Sequence, residues 1–208
     1  MKERYRTVQK EACGEITEKR SRFIASVKPV TTEEEAVLFL EKLKKKYWDA
    51  RHNVYAYIIE ENNIQRYSDD GEPAGTAGVP VLEFLKKEGL SNIIVVVTRY
   101  FGGILLGTGG LVHAYSKSAK VGVEAAEPVD MVLSQRLDIS CEYTMLGKVQ
   151  SEIAKRNAKT DEIIYAENVK IPVFMPVSEV DGFKREMVDK TNGQIGIEDG
   201  EIGYKKNI

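Results

Sequence analysis

Cysteine is almost absent from this 208-residue chain, with Cys13 and Cys141 its whole complement. Two distant cysteines cannot build a disulfide framework. Together with the only histidines, His52 and His113, they match no recognised zinc spacing, so no metal or other cofactor is expected. A reducing, cytoplasmic setting is the natural expectation. Long apolar runs are missing too. The longest aliphatic stretch, Ile93–Val97, is far too short to cross a bilayer, and the charged start Met1-Lys2-Glu3-Arg4-Tyr5 has no apolar segment behind it. Neither a membrane partner nor a signal peptide is therefore expected. An excess of one charge is also lacking: 30 basic against 32 acidic residues leave −2, with 19 of each in residues 1–130 and 11 against 13 in residues 131–208. Neither part is a polycation, which argues against indiscriminate duplex binding by phosphate neutralisation. The Lys42–Lys46 cluster is the obvious local exception, and such runs on helix faces are ordinarily solvated surface.

What is present is the composition of a folded protein, 42% hydrophobic and 30% charged. Arg22–Val30 reads as a strand. Thr32 with Glu35 makes a capping box, behind which Ala36, Leu40, Leu43 and Tyr47 recur at helical spacing. Val54–Glu60 and Ile64–Tyr67 form a hairpin about Asn62-Asn63, and a short helix covers Val81–Lys87. Ile93–Val97, apolar at every position, fits a strand buried on both faces. A helix from Leu111 to Ala126 carries Ala114, Ser118 and Gly122 as a stripe of small residues that lets it lie close on a sheet. Pro128 ends this unit, with an exposed linker expected between about residues 126 and 136. Beyond it come an alternating strand through Leu137, Ile139, Cys141 and Tyr143, and a helix through Leu146, Val149 and Ile153. Two strands follow, Glu162–Glu167 and Val169–Val177, the second an edge strand by its Pro172 and Pro176. A helix capped by Ser178 and a last strand complete the order βαββαβ, a ferredoxin-like unit. The expected fold is α+β in two domains, residues 1–130 and 131–208.

Chemistry concentrates in two loops. Thr98–Gly110, TRYFGGILLGTGG, has five glycines in its last nine positions: Gly102, Gly103, Gly107, Gly109 and Gly110. Glycine-exposed amides before a helix N-terminus form an anion site, or alternatively a tight strand-to-helix turn. The phosphate fingerprints fail: Thr108 stands in place of a P-loop lysine, and Val112 in place of the third dinucleotide-binding glycine. Arg99 and Tyr100, after the apolar strand, sit where ligands are commonly presented; Arg99 could equally form a buried ion pair with Asp69, Asp70 or Glu72. The second loop, Ser68–Gly78, gathers Asp69, Asp70 and Glu72 within four positions, which reads better as turn and ion-pair chemistry than as a Mg²⁺ site, with Thr76 available to cap the following helix. No nucleophile elbow or Cys–His pair is evident, and no catalytic residue is assigned.

Four blocks carry a resemblance: SRFIA (Ser21–Ala25), ARHNVYAY (Ala50–Tyr57), SDDGEPAGTAG (Ser68–Gly78) and VVVTRYFGGILLGTGGLVHAY (Val95–Tyr115). They resemble the signature blocks of the YigZ/IMPACT family in its bacterial two-domain form. His52 matches the family's histidine in the Ala-x-His block, whereas His113 stands where many members carry arginine. The resemblance implies a first domain with the ribosomal protein S5 domain 2-like fold and a second similar to the fifth domain of elongation factor G. Eukaryotic relatives carry an added N-terminal domain and regulate a translation-control kinase. That role is not expected to transfer to a chain beginning near SRFIA. Contact with RNA, the ribosome or a translation factor is expected, through a surface of Arg99, Tyr100, the loop glycines, His52, Asp69, Asp70, Glu72 and His113. Two other readings stay open, a nucleotide- or phosphometabolite-binding enzyme and a regulator that binds protein alone.

Overall fold

A computed structural model describes residues 2–156 and 158–206. They separate into two units, one of residues 5–130 and one of residues 131–206 joined by residues 2–4. The chain runs β1 (Arg4–Val8), β2 (Ala12–Glu18), β3 (Ser21–Pro29), α1 (Glu33–Lys46), β4 (His52–Ile59), β5 (Ile64–Ser68), α2 (Gly78–Lys87), β6 (Ile93–Tyr100) and α3 (Gly107–Ala125). Strands β2-β3-β6-β4-β5 form an antiparallel sheet in that order. β6 enters last and takes the middle, paired on both edges. Its two faces are also covered: Ile94 and Val96 pack with Phe39, Leu40 and Leu43 of α1, while Ile93, Val95 and Val97 pack with Leu82 and Leu85 of α2 and Ala119 of α3. That double coverage is why β6 is apolar without alternation.

Local rules account for several joints. The Thr32 hydroxyl accepts from the Glu35 amide at 3.2 Å, and the Glu35 carboxylate reaches back to the Thr31 amide at 2.7 Å, the capping-box arrangement. Asn62 and Asn63 turn β4 into β5 with φ of 60° and 50°. Gly122 of α3 sits so close to the sheet that a Cβ there would lie 2.7 Å from that of Ala25, as its small-residue stripe predicts. Three expectations need correction. β1 and β2 precede the first element the sequence pattern marks. α3 begins at Gly107 instead of Leu111, taking four loop residues into its first turns. The cap of α2 is Asp69 and not Thr76, whose hydroxyl donates to the Pro73 carbonyl instead.

The second unit contains β7 (Pro128–Cys141), α4 (Leu146–Ala154), β8 (Lys159–Thr160), β9 (Ile164–Tyr165), β10 (Val169–Pro176), α5 (Val177–Thr191) and β11 (Ile195–Lys206). β7 runs through the division at 130/131, so the exposed linker expected there is continuous strand. Order β11-β7-β10, with β8 and β9 beyond β10, is antiparallel throughout and gives the split βαββαβ arrangement. β10 is not an edge strand. β8 pairs with Val173 and Phe174 and β9 with Val169 and Lys170, leaving Pro172 in the gap between them. Of the predicted Glu162–Glu167 strand only Ile164–Tyr165 is strand, and β8 lies ahead of it, the two pieces pairing with β10 on either side of Pro172, which cannot donate. Pro176 closes β10 and precedes α5, which is not capped by Ser178. Leu137, Ile139, Ile171, Val173, Phe183 and Met187 make the core, where burial pushes the Cys141 thiol pKa up. Cys13 is exposed and unbridged. No helix among the described residues is long and apolar enough to cross a membrane.

Candidate functional site

Antiparallel register brings the two chemical blocks together. On β6 and β4, Arg99 lies directly opposite His52 and Thr98 opposite Asn53, and on β3 Phe23 flanks Arg99. Paired residues share a face of the sheet, so Arg99, His52 and Phe23 all point to the side covered by α2 and α3. Arg99 therefore owes its place to this pairing and not to a parallel-sheet crevice.

Arg99 is the centre of a buried polar cluster. Its Nη1 meets Glu72 Oε1 at 2.5 Å, with side chains 7% and 4% exposed. The Tyr115 hydroxyl donates to the same carboxylate oxygen at 2.8 Å, and burial, then Glu72, pushes the Tyr115 pKa far above the usual phenol range. The guanidinium lies 5.4 Å from the ring centre of Phe23 and 5.6 Å from that of Phe101. Its Nε is buried and has no hydrogen-bond partner among the described residues. Of the three acids it could have met, Arg99 pairs with Glu72.

Asp69 and Asp70 serve the loop itself. Asp69 accepts from the amides of Gly75 at 2.8 Å, Ala77 at 3.1 Å and Gly78 at 2.8 Å, closing the loop and capping α2. Asp70, held at φ 45°, accepts from the Asn53 amide at 2.6 Å through its side chain. Its carbonyl lies 2.7 Å from His52 Nδ1. A carbonyl only accepts, so Nδ1 carries a proton and Nε2 is left as the other functional nitrogen. The three carboxylates thus face α2, β4 and Arg99 separately, and among the described residues no His/Cys/Asp/Glu group is placed to hold a metal.

Between these parts and α3 lies a cavity of about 400 Å³, lined by Arg51, His52, Glu72, Pro73, Arg99, Phe101, Leu105, Leu106, Gly107, Thr108 and Leu111. The first turn of α3 contains no acidic residue and Leu106 makes no side-chain cap, so the helix itself offers nothing to offset its dipole where Gly107, Thr108 and Leu111 line the cavity. Arg51 is exposed and makes no ion pair among the described residues. The opposite wall is apolar, and Leu105 at its mouth is 82% exposed. The arrangement suits an anion at the helix end with a flat or apolar portion beside it.

Each expected residue can now be placed. Arg99, His52, Glu72 and Gly107 line the cavity. Asp69 and Asp70 support it from behind. Gly102 lies against β3: a Cβ there would come within 2.0 Å of Arg20 backbone, and its amide donates to the Ser21 hydroxyl at 3.2 Å. Gly103, Gly109 and Gly110 are near but not in the lining. Tyr100 points elsewhere, its hydroxyl donating to Asp49 at 2.8 Å. His113 is exposed on α3 and does not line the cavity. Sequence reasoning missed Arg51, whose signal was its position beside His52 in the ARHNVYAY block. It also read Thr108 only as a missing lysine.

The family model described as the Impact N-terminal domain matches residues 19–123, and one described as a domain of unknown function, DUF1949, matches residues 139–194. IMPACT family member YvyE of Bacillus subtilis is 45% identical over 201 residues, 96% of this chain and 93% of that one. Mouse Protein IMPACT is 40% identical over 115 residues, 52% of this chain and 36% of that one. A solved crystal structure described only as that of a hypothetical protein is 30% identical, with a TM-score of 0.61 over 97% of this chain and 99% of the other.

Proposed function

The chain belongs to the IMPACT family, and on that premise we propose that it is a cytoplasmic, translation-associated binding protein that receives a phosphate of RNA at the N-terminus of α3. The observation that carries this reading is the acid-free first turn of α3 opening into a cavity beside Arg51 and His52. Backbone amides and a helix dipole favour an anion, and Arg51 adds a cation at the rim. His52, its Nδ1 taken by the Asp70 carbonyl, keeps Nε2 for a hydrogen bond to a ribose 2′-hydroxyl, and the apolar wall of Phe101 and Leu105 suits an unstacked base. Arg99 supports the site as a positioning residue, its charge matched by Glu72. The near-zero net charge of residues 1–130 fits recognition of one or two phosphates better than coating of a duplex.

Co-sedimentation of the full chain with ribosomal subunits, and its binding to protein-free ribosomal RNA, at low and raised salt tests the reading. Binding should fall as salt rises, and Arg51→Ala should lower the logarithmic salt slope by about 0.7–0.9. Binding to ribosomal protein alone, or none to either partner at low salt, contradicts it.

A further inference from the structure

The α3 cavity leaves the second unit without a role. That unit has a cavity of its own, about 300 Å³, bordered by Arg4, Lys159, Lys205, Phe174, Asp161 and Glu179 among others. It opens on the sheet face opposite the core. Leu137, Ile139, Ile171, Val173 and Met175 point inward, whereas Phe174 and Val132 alternate to the other side. The register sets Lys159 of β8 directly opposite Phe174 of β10, and Lys205 of β11 opposite Val132 of β7.

Two features make this more than a scatter of surface lysines. First, Lys205 sits against an aromatic wall: its ammonium lies 4.4 Å from the centre of the Phe174 ring and 4.0 Å from the carboxylate of Glu201, which is outside the cavity lining. The ring orients the cation without neutralising it. Second, the charge is concentrated against the local composition. Arg4, Lys159, Lys205 and Lys206 line the cavity against Asp161 and Glu179, although residues 1–4 and 131–208 together carry 13 basic against 14 acidic residues. Lys159 makes no ion pair among the described residues. The floor of Val132 and Pro176 is apolar.

We propose that this cavity binds a phosphorylated small molecule of mononucleotide size. Its phosphate lies toward Lys159 and Lys205. Hydroxyl or amino groups are accepted by Asp161 or Glu179, and its ring rests on Val132 and Pro176. Cations alone would suit any polyanion. Carboxylates in the same concave space select a ligand with donors a few ångströms from its phosphate, as in a sugar phosphate or a nucleoside monophosphate. An extended RNA strand would follow an open groove instead.

Isothermal titration of the full chain with uridine 5′-monophosphate, ribose 5-phosphate, uridine and a short oligouridylate tests this. At least one phosphate ester should bind one-to-one with a dissociation constant below about 1 mM, and uridine should not. Lys159→Gln combined with Lys205→Gln should weaken that binding about tenfold or more. Phe174→Leu, which frees Lys205, should weaken it severalfold while the melting transition stays cooperative. The proposal is overturned if neither ester binds, if only the oligonucleotide binds, or if the loss follows Arg51→Ala and not the paired lysine changes.

Discussion

Arg99 and Glu72 form a buried ion pair at 2.5 Å whose partners come from the central strand and from the loop between β5 and α2. The pair fastens that loop over the end of the sheet, and Tyr115 locks the carboxylate from α3. The central strand, the loop and α3 are thus tied together by one carboxylate. The positive character of the neighbouring cavity therefore comes from the α3 N-terminus and Arg51, with Arg99 acting as scaffold.

Removing one partner of a buried pair strands the other. Arg99→Ala should lower stability to urea by about 3–5 kcal/mol, with Glu72→Gln in the same direction. Replacing both by apolar residues should recover part of the loss. A change below about 1 kcal/mol in Arg99→Ala would show that Glu72 is rehydrated and the pair is not structural.

The loop glycines should divide into two kinds. Gly102→Ala forces a Cβ onto Arg20 backbone, so the variant should be strongly destabilised. Gly109 has nothing within 4 Å of where its Cβ would stand. Gly109→Ala should stabilise the fold by up to about 1 kcal/mol, the helix-propensity difference, yet weaken RNA binding by crowding the helix end. Thermal melts and binding on the same two proteins separate the effects. Equal tolerance of both changes would contradict the packing at Gly102.

The capping box has a pH signature. The Thr31 amide, above all, holds the Glu35 carboxyl below its ordinary value of 4.5. A depressed folded-state pKa gives stability that is present above that value and lost as pH falls through the folded one. Glu35→Gln should therefore lose less stability than the parent between about pH 7 and about pH 3. Identical pH profiles in urea denaturation would remove Glu35 from the account.

Much of this was legible in the sequence where a local rule decides. Thr32 and Glu35 announced a helix start, Asn62-Asn63 a turn, and Gly122 a close helix–sheet approach. What stayed hidden depends on distant partners. β2 is a half-exposed edge strand broken in pattern by Gly14, which has room only for hydrogen against Val121. Asp69 caps a helix eight and nine residues onward, a reach no short motif encodes. The first turn of α3 is too glycine-rich to read as helix, so the anion-facing end was placed four residues late. His113 lay within a signature block, but the helical period that buries Leu111, Ala114 and Tyr115 turns it outward. Arg51 lay in the ARHNVYAY block beside His52, but only the fold brings it to one cavity with Arg99 and the start of α3.

The central claim is that RNA phosphate meets the leading amides of α3. The most direct measurement is a titration of ¹⁵N-labelled protein with a short single-stranded RNA, following backbone amide resonances. The account predicts saturable shifts at Gly107, Thr108 and Gly109 that are reversed by salt and diminished in Arg51→Ala. RNA that binds while these three resonances stay unmoved would contradict it.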